Sequence, residues 1–459
     1  MKNTTEDRRS FLQKLVGAGI TATGILSLRS SASIIPSHKT IEILRDNRKV
    51  YSPNDQIQIG LIGAGNMGNS DLDTALTVAG VKVISVCDLY TGRLNAASLK
   101  YPGISTTKEY EDLIARKDID AVIIATPDHH HKHISIDAMK AGKHVYCEKP
   151  MVHSISEGHE LVEAQKQYQR IFQVGSQGLS SVGNNKAKEL LESGVIGELN
   201  YAEGFWARNS PLGAWQYPIP ADASEKNVDW KRFLGDNPVI PFDPVRFFRW
   251  RNYRDYGTGV CGDLFVHLFS SLHYIANSKG PTKIVATGGL RYWKDGREVP
   301  DIMIGMFDYP KTIEHPAFNL SLRCNFVDGT SGNTYLKLVG SKGSMDIGWD
   351  EVTLKLNQSS KPMDAFDKNV GSAGTQKIND SLMNESGDRV FKAEDGYLGA
   401  HHYHHQNFYD SIRSGIQKVE DSTFGFRAAA PALLCNQSYE ENKILNWDPI
   451  NLKPVNHKS

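Results

Sequence analysis

A glycine-rich turn near residue 60 has the residue types and spacing that hold a phosphorylated ligand. The apolar run 56–62 is followed by glycines and by the first residues of a predicted helix: Gly63, Gly65, Asn66, Met67 and Gly68. Glycine is needed because the tight turn, the approach of backbone to a pyrophosphate, and helix packing each exclude a Cβ. Asp88 ends a second predicted strand twenty residues after Gly68, where a carboxylate can bind both ribose hydroxyls. The pattern predicts NAD binding, because the same carboxylate would repel the 2′-phosphate of NADP.

Lys149 could bind the hydroxyl oxygen of an alcohol substrate and stabilise negative charge on it. It follows the predicted strand 144–147 within Glu148-Lys149-Pro150, as Thr126-Pro127 follows the predicted strand 119–125. Ligands of parallel sheets bind beyond the carboxyl ends of the strands, so both motifs lie at the predicted binding edge. An ammonium fixed there would hold the hydroxyl and stabilise alkoxide charge as hydride leaves. The alternative for any single lysine is a solvated surface residue.

Five sequence elements in chain order resemble the Gfo/Idh/MocA family, over roughly residues 56 to 455. They are Gly-Leu-Ile-Gly-Ala-Gly-Asn-Met-Gly, the strand-terminal Asp88, Ala-Thr-Pro-Asp-His, Gly-Lys-His-Val-Tyr-Cys-Glu-Lys-Pro, and Asp263-Leu-Phe-Val-His267. The resemblance implies a Rossmann domain, a second domain with a large open, mostly antiparallel sheet, and hydride chemistry on a sugar or polyol. It also implies that His267 is the acid-base group and Asp263 a substrate ligand. An imidazole titrates near neutrality and can take and return a hydroxyl proton.

Several other side chains are predicted at the cofactor. Arg93 could stack on adenine or be solvated, and the resemblance places His129 and His131 beside the nicotinamide. The strand-end residues complete the set: Thr126, Pro127, Glu148, Lys149 and Gln177. No metal is predicted from the histidines at 129–133, because neighbours on a helix point in different directions and no Cys or Glu completes a ligand set. A second histidine run, 401–405, is predicted to cap and pack a helix, with metal or substrate contact as the alternative.

The fold class predicted is α/β followed by α+β. Strands and helices alternate through residue 177 and strands dominate afterwards, which predicts a Rossmann domain at 56–177 and an α+β substrate and oligomerisation domain at 178–459. Residues 208–258 interleave aromatic residues with arginines and could form a saccharide wall or a buried packing loop. Arg249 and Tyr256 are predicted there as substrate ligands, beside Lys149, Asp263 and His267. The stripe carrying Asp263 and His267 would ordinarily face solvent, and residues 358–397 are predicted to form a surface loop.

The N-terminus predicts export. Arg8-Arg9 lies in a segment that resembles a twin-arginine signal, followed by an apolar run at 15–28 that is too short to span a bilayer and by small residues at 31–33. We therefore expect a signal peptide at 1–33, a linker at 34–55, and a periplasmic protein. Because free NAD should be scarce outside the cytoplasm, we also expect the cofactor to stay bound through many turnovers. The alternative is an ordinary basic N-terminal helix.

Composition excludes some classes of partner. The 52 basic residues balance the 52 acidic ones, so nothing indicates nucleic-acid binding. Five scattered cysteines without CxxC spacing indicate neither a disulfide framework nor a zinc site. The predicted partners are a small carbohydrate and further copies of the chain, as a dimer or tetramer by analogy with the family, and no stable membrane insertion is expected.

Three functions compete at this point. The first is an exported NAD-dependent dehydrogenase acting on a sugar or glycoside hydroxyl. The second is a glycosidase that uses NAD to oxidise, eliminate and rehydrate its substrate; Lys149 counts against it, since family members resembling N-acetylgalactosaminidases carry valine there. The third is a non-catalytic sugar-binding protein, which the presence of both Lys149 and His267 disfavours.

Overall fold

The computed structural model describes residues 40–44, 56–209, 212–330, 332–356 and 388–455. The predicted signal peptide at 1–33 lies outside these ranges. The described chain forms two sheets, of six and eleven strands. Its first strand, β1 (Thr40–Leu44), belongs to the larger sheet.

The smaller sheet is a parallel Rossmann sheet. Its strands run in the order β4-β3-β2-β5-β6-β7 and pair in parallel throughout. Their central residues are buried, as expected for a sheet with helices on both faces. The strands are β2 (Ile57–Ile62), β3 (Val81–Cys87), β4 (Ser105–Thr107), β5 (Ala121–Ile124), β6 (His144–Cys147) and β7 (Phe172–Val174). The intervening helices are α1 (Asn66–Ala75), α2 (Thr91–Lys100), α3 (Tyr110–Ala115), α4 (His131–Lys140) and α5 (Gly158–Tyr168). The predicted strand-helix alternation is confirmed.

The larger sheet is open and mostly antiparallel, which confirms the predicted fold class. Its order is β1-β15-β14-β13-β12-β8-β11-β10-β9-β16-β17, with parallel pairing only at β1/β15 and β8/β11 among the described strands. Its remaining strands are β8 (Leu199–Ala207), β9 (Lys283–Gly289), β10 (Ile302–Tyr309), β11 (Phe318–Asn325), β12 (Tyr335–Gly340), β13 (Gly343–Ile347), β14 (Glu351–Leu356), β15 (Asp388–Ala393), β16 (Leu445–Asp448) and β17 (Lys453–Pro454).

Helices cover one face of this larger sheet. Phe307 of β10 packs edge-on against Phe269, with ring centroids 4.9 Å apart, whereas Ile304 and Met306 of the same strand are exposed. The alternation follows from the period of two along a strand. The helices of this half are α6 (Val182–Glu192), α7 (Trp230–Leu234), α8 (Pro244–Phe248), α9 (Val266–Ala276), α10 (Gly399–Ser414) and α11 (Ser422–Glu441). Short 3-10 turns occupy Asp128–His130, Ile155–Glu157, Gln177–Ser180 and Trp250–Asn252.

Helix α10, from the second half of the chain, packs against the Rossmann sheet. The ring Nε2 of His404 lies 2.7 Å from the carbonyl oxygen of Val174, and Gln173 Nε2 donates to the carbonyl of His404 at 2.8 Å. A division of the sequence at residue 177 therefore does not separate the two sheets completely, because the second half contributes a covering helix to the first.

Two polar segments contain strands that the sequence analysis missed. The predicted linker 34–55 contains β1, and the predicted loop 358–397 contains β15; these two strands pair in parallel, with Ile41 opposite Val390. Residues 357–387 lie outside the described chain. The linker prediction is wrong at residues 40–44, because a five-residue edge strand acquires its stability from a partner almost 350 residues away and not from local pattern.

The helix that carries Asp263 and His267 is buried, not solvated. It begins with a π-helical turn at Cys261–Phe265 and continues as α9. Such turns occur often at functional sites. Asp263 and Ser270 are almost fully buried, and the hydroxyl of Ser270 donates to Glu420 at 3.2 Å. The alternative of a solvated stripe therefore does not hold, because the Rossmann domain and α11 cover the polar side.

In the described chain no helix is both long enough and apolar enough to cross a bilayer. All five cysteines are buried as free thiols.

Candidate active site

A cavity of about 860 Å³ lies at the carboxyl ends of the parallel strands, and the larger sheet and α9 close its other side. Its volume is in the range of sites that bind cofactors and small molecules. The predicted cofactor residues that line it are Gly63, Gly65, Asn66, Met67, Asp88, Arg93, Thr126, Pro127, Glu148, Lys149 and Gln177. Asp263 and His267 line the same cavity, so one space contains the three residues predicted to be catalytic.

The glycine turn fits a pyrophosphate. Gly63 has φ +94°, and a Cβ at that position would lie 2.7 Å from the backbone of Ala125. A Cβ on Gly68 would overlap the carbonyl oxygen of Gly63, so this glycine serves packing and does not line the cavity. Gly65 is different, since a Cβ there would come no closer than 3.9 Å to any neighbouring side chain and would point into the cavity. It caps α1 with no side-chain hydrogen bond, which leaves the first amides of α1 free to bind an anion.

Asp88 and Arg93 form the ribose side of the cavity. Asp88 is almost fully buried; its Oδ2 accepts from the amide of Ala64 at 2.8 Å and its Oδ1 from that of Tyr90 at 2.9 Å. Arg93 Nη1 lies 3.4 Å from Asp88 Oδ2, and its guanidinium lies 5.4 Å from the ring centroid of Phe248. Asp88 Oδ2 thus accepts from both Ala64 and Arg93, whereas Oδ1 keeps a free lone pair for a hydroxyl donor within the described chain.

We expect Asp88→Ser to raise the Kd for NAD about tenfold and to shift the NADP to NAD preference in favour of NADP. The variant loses the charged acceptor for the ribose hydroxyls and the repulsion of a 2′-phosphate. Fluorescence titration with both reduced nucleotides measures the change. Asp118→Ser is the matched control, because that carboxylate pairs with Arg116 at an exposed site away from the cavity. An unchanged preference in Asp88→Ser contradicts the ribose assignment.

Glu148, Gln177 and Thr126 line the strand-end edge of the cavity. Gln177 Nε2 donates to Glu148 Oε1 at 2.8 Å. Burial, together with the neighbouring carboxyl of Asp71, raises the pKa of Glu148 well above its usual value, which favours a neutral acid. The buried hydroxyl of Thr126 has no hydrogen-bond partner in the described chain, so it is available to a ligand.

Lys149 reaches from the end of β6 to the helix that carries Asp263. Its Nζ donates to Asp263 Oδ1 at 2.8 Å and to the Asp263 carbonyl oxygen at 2.7 Å. Arg251 Nε contacts the same Oδ1 at 3.2 Å. Burial disfavours the charged form of Asp263, but Lys149 and Arg251 outweigh it and hold the pKa of this carboxyl well below its usual range. Asp263 therefore fixes both cations at the cavity wall.

His267 is a neutral imidazole at the same wall. Its ring stacks on Trp206, with centroids 5.0 Å apart and an interplanar angle of 17°. Its Nδ1 is buried and has no hydrogen-bond partner in the described chain. Burial, and then the positive charge of Lys149, lower the pKa of His267 well below its usual value. At neutral pH the ring can therefore accept a proton.

The predicted histidines of the nicotinamide side lie outside the cavity lining. The ring nitrogens of His131 lie 2.8 Å from the carbonyl oxygen of Pro150 and 2.9 Å from that of Thr126, so this side chain braces the two strand-end motifs. His129 Nε2 lies 2.7 Å from the carbonyl oxygen of Phe233. Their assignment as cofactor ligands is corrected to a structural one, since these contacts occupy the ring nitrogens.

Arg249 and Tyr256 also lie outside the lining. Arg249 Nε donates to the carbonyl of Tyr217 at 2.9 Å, and Tyr256 is buried with its ring 4.8 Å from that of Phe233. Both support the loop that shapes the cavity, so the substrate-ligand assignment is corrected. Within 208–258, some side chains line the cavity and others pack beneath it, so the saccharide wall stays a prediction for the lining residues.

The lining also includes residues that were not assigned individually as ligands, among them Trp206, Arg208, Arg251, Trp349 and His401. Trp349 lies in the turn between β13 and β14, and its ring centroid is 5.9 Å from that of His401 on α10. The aromatic and basic run contained Arg208 and Arg251, and the histidine run 401–405 contained His401, but Trp349 had no signal. Within the described residues, no group of three or more His, Cys, Asp or Glu side chains is arranged to hold a metal ion.

Comparison with models of protein families shows which family this chain belongs to. Residues 57–176 match the model described as the oxidoreductase family with NAD-binding Rossmann fold, and residues 188–447 match the C-terminal alpha/beta domain of the same family. The chain belongs to the Gfo/Idh/MocA oxidoreductase family. The resemblance drawn from the motifs is confirmed, and the N-terminal Gfo/Idh/MocA domain is an NAD-binding Rossmann domain whose free amides, Asp88 and unpaired Thr126 hydroxyl fit the dinucleotide.

Individual Gfo/Idh/MocA relatives cover parts of the chain. An inositol 2-dehydrogenase of Salmonella paratyphi B is 35% identical over 145 residues, which are 31% of this chain and 43% of that protein. A glycosyl hydrolase family 109 protein of Solibacter usitatus is 28% identical over 194 residues, 40% of this chain and 43% of that protein. The chain thus aligns with less than half the length of either relative. A solved levoglucosan dehydrogenase with NADH and L-sorbose has a TM-score of 0.64 at 18% identity, covering 86% of this chain and all of the other, which shows a shared fold.

Proposed function

We propose that this protein is an NAD-dependent dehydrogenase that moves a hydride between a sugar or glycoside hydroxyl and the nicotinamide. The observation that carries the proposal is one cavity in which the Lys149 ammonium and the neutral His267 imidazole converge from different halves of the chain. Bound NAD would supply the hydride acceptor. The aromatic rings of Trp206 and Trp349 in the same wall suit the apolar faces of a sugar ring.

The two side chains divide the work on the substrate hydroxyl. Lys149, held by Asp263, donates hydrogen bonds to the hydroxyl oxygen and stabilises the negative charge that develops as its proton leaves. His267 accepts that proton, because its ring is uncharged and one nitrogen has no partner in the described chain. In the reverse direction His267 returns the proton. Enclosure of the cavity by the second domain limits water at the reacting carbon.

Turnover of a glycoside and polyol library tests the proposal. The purified chain is mixed with NAD and each compound, the absorbance of reduced nicotinamide is followed, and oxidised products are detected by mass spectrometry. The proposal expects reduced nicotinamide and a product two hydrogen atoms lighter than the substrate. Binding of sugars without any oxidation, across the library and in both directions, contradicts it and favours the non-catalytic alternative.

A glycosidase that oxidises transiently is the second candidate. The observation in its favour is the family 109 relative. Lys149 weighs against it, because the resemblance implies valine at this position in the N-acetylgalactosaminidase-like members. Release of an aglycone without net reduction of NAD would select the glycosidase.

We further propose that the protein is exported folded, with NAD already bound. Arg8-Arg9 and the apolar run after it support this proposal, as does the position of the predicted cofactor residues along one cavity. Arg8→Lys with Arg9→Lys is expected to leave the protein in the cytoplasmic fraction, whereas Lys14→Arg, which keeps the pair, should not. Nucleotide should be found in the exported wild-type protein after denaturation; its absence there contradicts the resident cofactor.

We also propose a homo-oligomer that covers the open face of the larger sheet. The exposed side chains of Ile304 and Met306 on that face support it, because large apolar side chains exposed in a sheet are covered in many interfaces. Sedimentation equilibrium should therefore give more than the 51.0 kDa of one chain.

A further inference from the structure

Positive charge accumulates at the His267 end of the cavity. Lys149, Arg208 and Arg251 all line this end, together with the carboxyl groups of Asp263 and Glu148. Glu148 is buried and bonded to Gln177, and its raised pKa favours the uncharged acid. Three cations therefore face one charged carboxylate in the cavity wall.

Two of these cations are compensated by the protein. Lys149 and Arg251 both contact Asp263 Oδ1, at 2.8 Å and 3.2 Å. Asp128, behind the wall, attracts Arg251 as well, although its Oδ2 accepts hydrogen bonds from the amide and the hydroxyl of Thr258. The carboxylates of Asp263 and Asp128 therefore compensate the charges of Lys149 and Arg251.

Arg208 is the remaining cation. It follows β8, two residues after Trp206, whose ring stacks on His267. Its Nη2 donates to the hydroxyl of Tyr217 at 3.2 Å, and in the described chain no carboxylate lies within 4.0 Å of its guanidinium. Its charge acts on both His267 and Asp263, so the guanidinium lies within electrostatic reach of the proposed reaction site.

A half-buried guanidinium without a counter-ion favours an anionic ligand. Its planar set of donors matches a carboxylate, which it can bind through two parallel hydrogen bonds. If the ligand were a neutral sugar, only hydroxyl groups would accept hydrogen bonds from the guanidinium. Its charge would then stay uncompensated in a partly desolvated wall. The aromatic rings beside it supply the contact area for the rest of a sugar ring.

We propose that Arg208 binds a carboxylate on the carbohydrate, so that the substrate is a uronic acid or its glycoside. This inference rests on the proposed dehydrogenase function and specifies its substrate class. Arg208 acts by selecting and orienting the sugar, while Lys149 and His267 act on the hydroxyl that is oxidised.

Paired substrates of equal size test this inference. Methyl glucuronide, methyl glucoside and methyl glucoside 6-sulfate are compared by kcat/KM with NAD, and by calorimetric titration into the NADH-loaded protein. We expect kcat/KM and affinity to favour the glucuronide over the glucoside by about tenfold, and Arg208→Gln to remove that preference. Arg254→Gln is the matched control, because Arg254 lies in the same loop but pairs with Glu440 outside the cavity; it should keep the preference.

The outcomes separate this inference from the proposed function. A wild-type preference for the glucoside, or a preference that survives Arg208→Gln, overturns the carboxylate site while oxidation of either sugar still supports a dehydrogenase. Stronger binding of the sulfate ester overturns the choice of carboxylate. If glucuronide binds in an Arg208-dependent manner by calorimetry but no sugar is oxidised, the anion site stands and the dehydrogenase proposal fails.

Discussion

Replacing His267 by alanine is expected to lower kcat by about 10³-fold while the protein still binds NAD. General base catalysis by a positioned side chain contributes about 10²- to 10⁴-fold, and His267 lines the cavity with an Nδ1 that has no hydrogen-bond partner in the described chain. Burial and Lys149 lower its pKa, so the wild-type rate should fall only at pH values well below the ordinary histidine pKa of about 6.5. The rate falls as the pH decreases because a protonated ring cannot accept the hydroxyl proton. The measurement is kcat/KM against pH, with bound nucleotide quantified in each variant.

A second histidine variant distinguishes catalysis from folding. His159 lies 2.8 Å from the carbonyl oxygen of Leu452, away from the cavity, and His159→Ala should keep kcat within about twofold. The acid limb of the profile should persist in His159→Ala and vanish in His267→Ala. An acid limb that is unchanged in His267→Ala removes His267 from the role of base.

Lys149→Ala is expected to lower kcat by about 10²- to 10³-fold, because the ammonium stabilises charge that develops on the substrate oxygen. The fold should tolerate the change, since Asp263 keeps its contact with Arg251. Loss of Lys149 also removes one of the causes that depress the pKa of His267. The acid limb of the residual activity should therefore move to higher pH, toward the ordinary histidine value.

The control for this variant is Lys132→Ala, since Lys132 pairs with Glu160 on the surface of the Rossmann domain. Lys132→Ala should have the same kcat and the same pH profile as the wild type. A Lys149→Ala enzyme with nearly full kcat, or with an acid limb that does not move, would show that Lys149 has no direct role at the hydroxyl.

The Rossmann half of the fold could be predicted because its signals are local. The glycines, Asp88 and the alternation of apolar strands with short helices all lie within stretches that determine their own geometry. Lys149 followed from its place at a strand end. The class of the larger sheet could be predicted but not all of its strands, since the edge strand β1 is stabilised by pairing with β15, which is distant in sequence and lies between β1 and β14.

Residue type alone misassigned part of the site. Arg249 and Tyr256 have the chemistry of sugar ligands, yet Arg251 and Arg208 from the same aromatic and basic region reach the cavity instead. The sequence of an irregular loop has no periodicity from which the side chains that face the cavity could be predicted. Trp349 was missed for a different reason, because a turn between two strands brings it to a site formed mainly by distant residues.

The pairing of β1 with β15 has a consequence for the order in which parts of the protein can fold. Strand β1 has no place to dock until residues 389–393 have been synthesised, so the edge of the larger sheet is finished only when the ribosome has made most of the chain. A transport machine that threads an unfolded chain from its N-terminus would separate these two strands during passage. Truncation before residue 388 should accordingly leave residues 40–44 accessible to protease, even where the nucleotide domain has already folded.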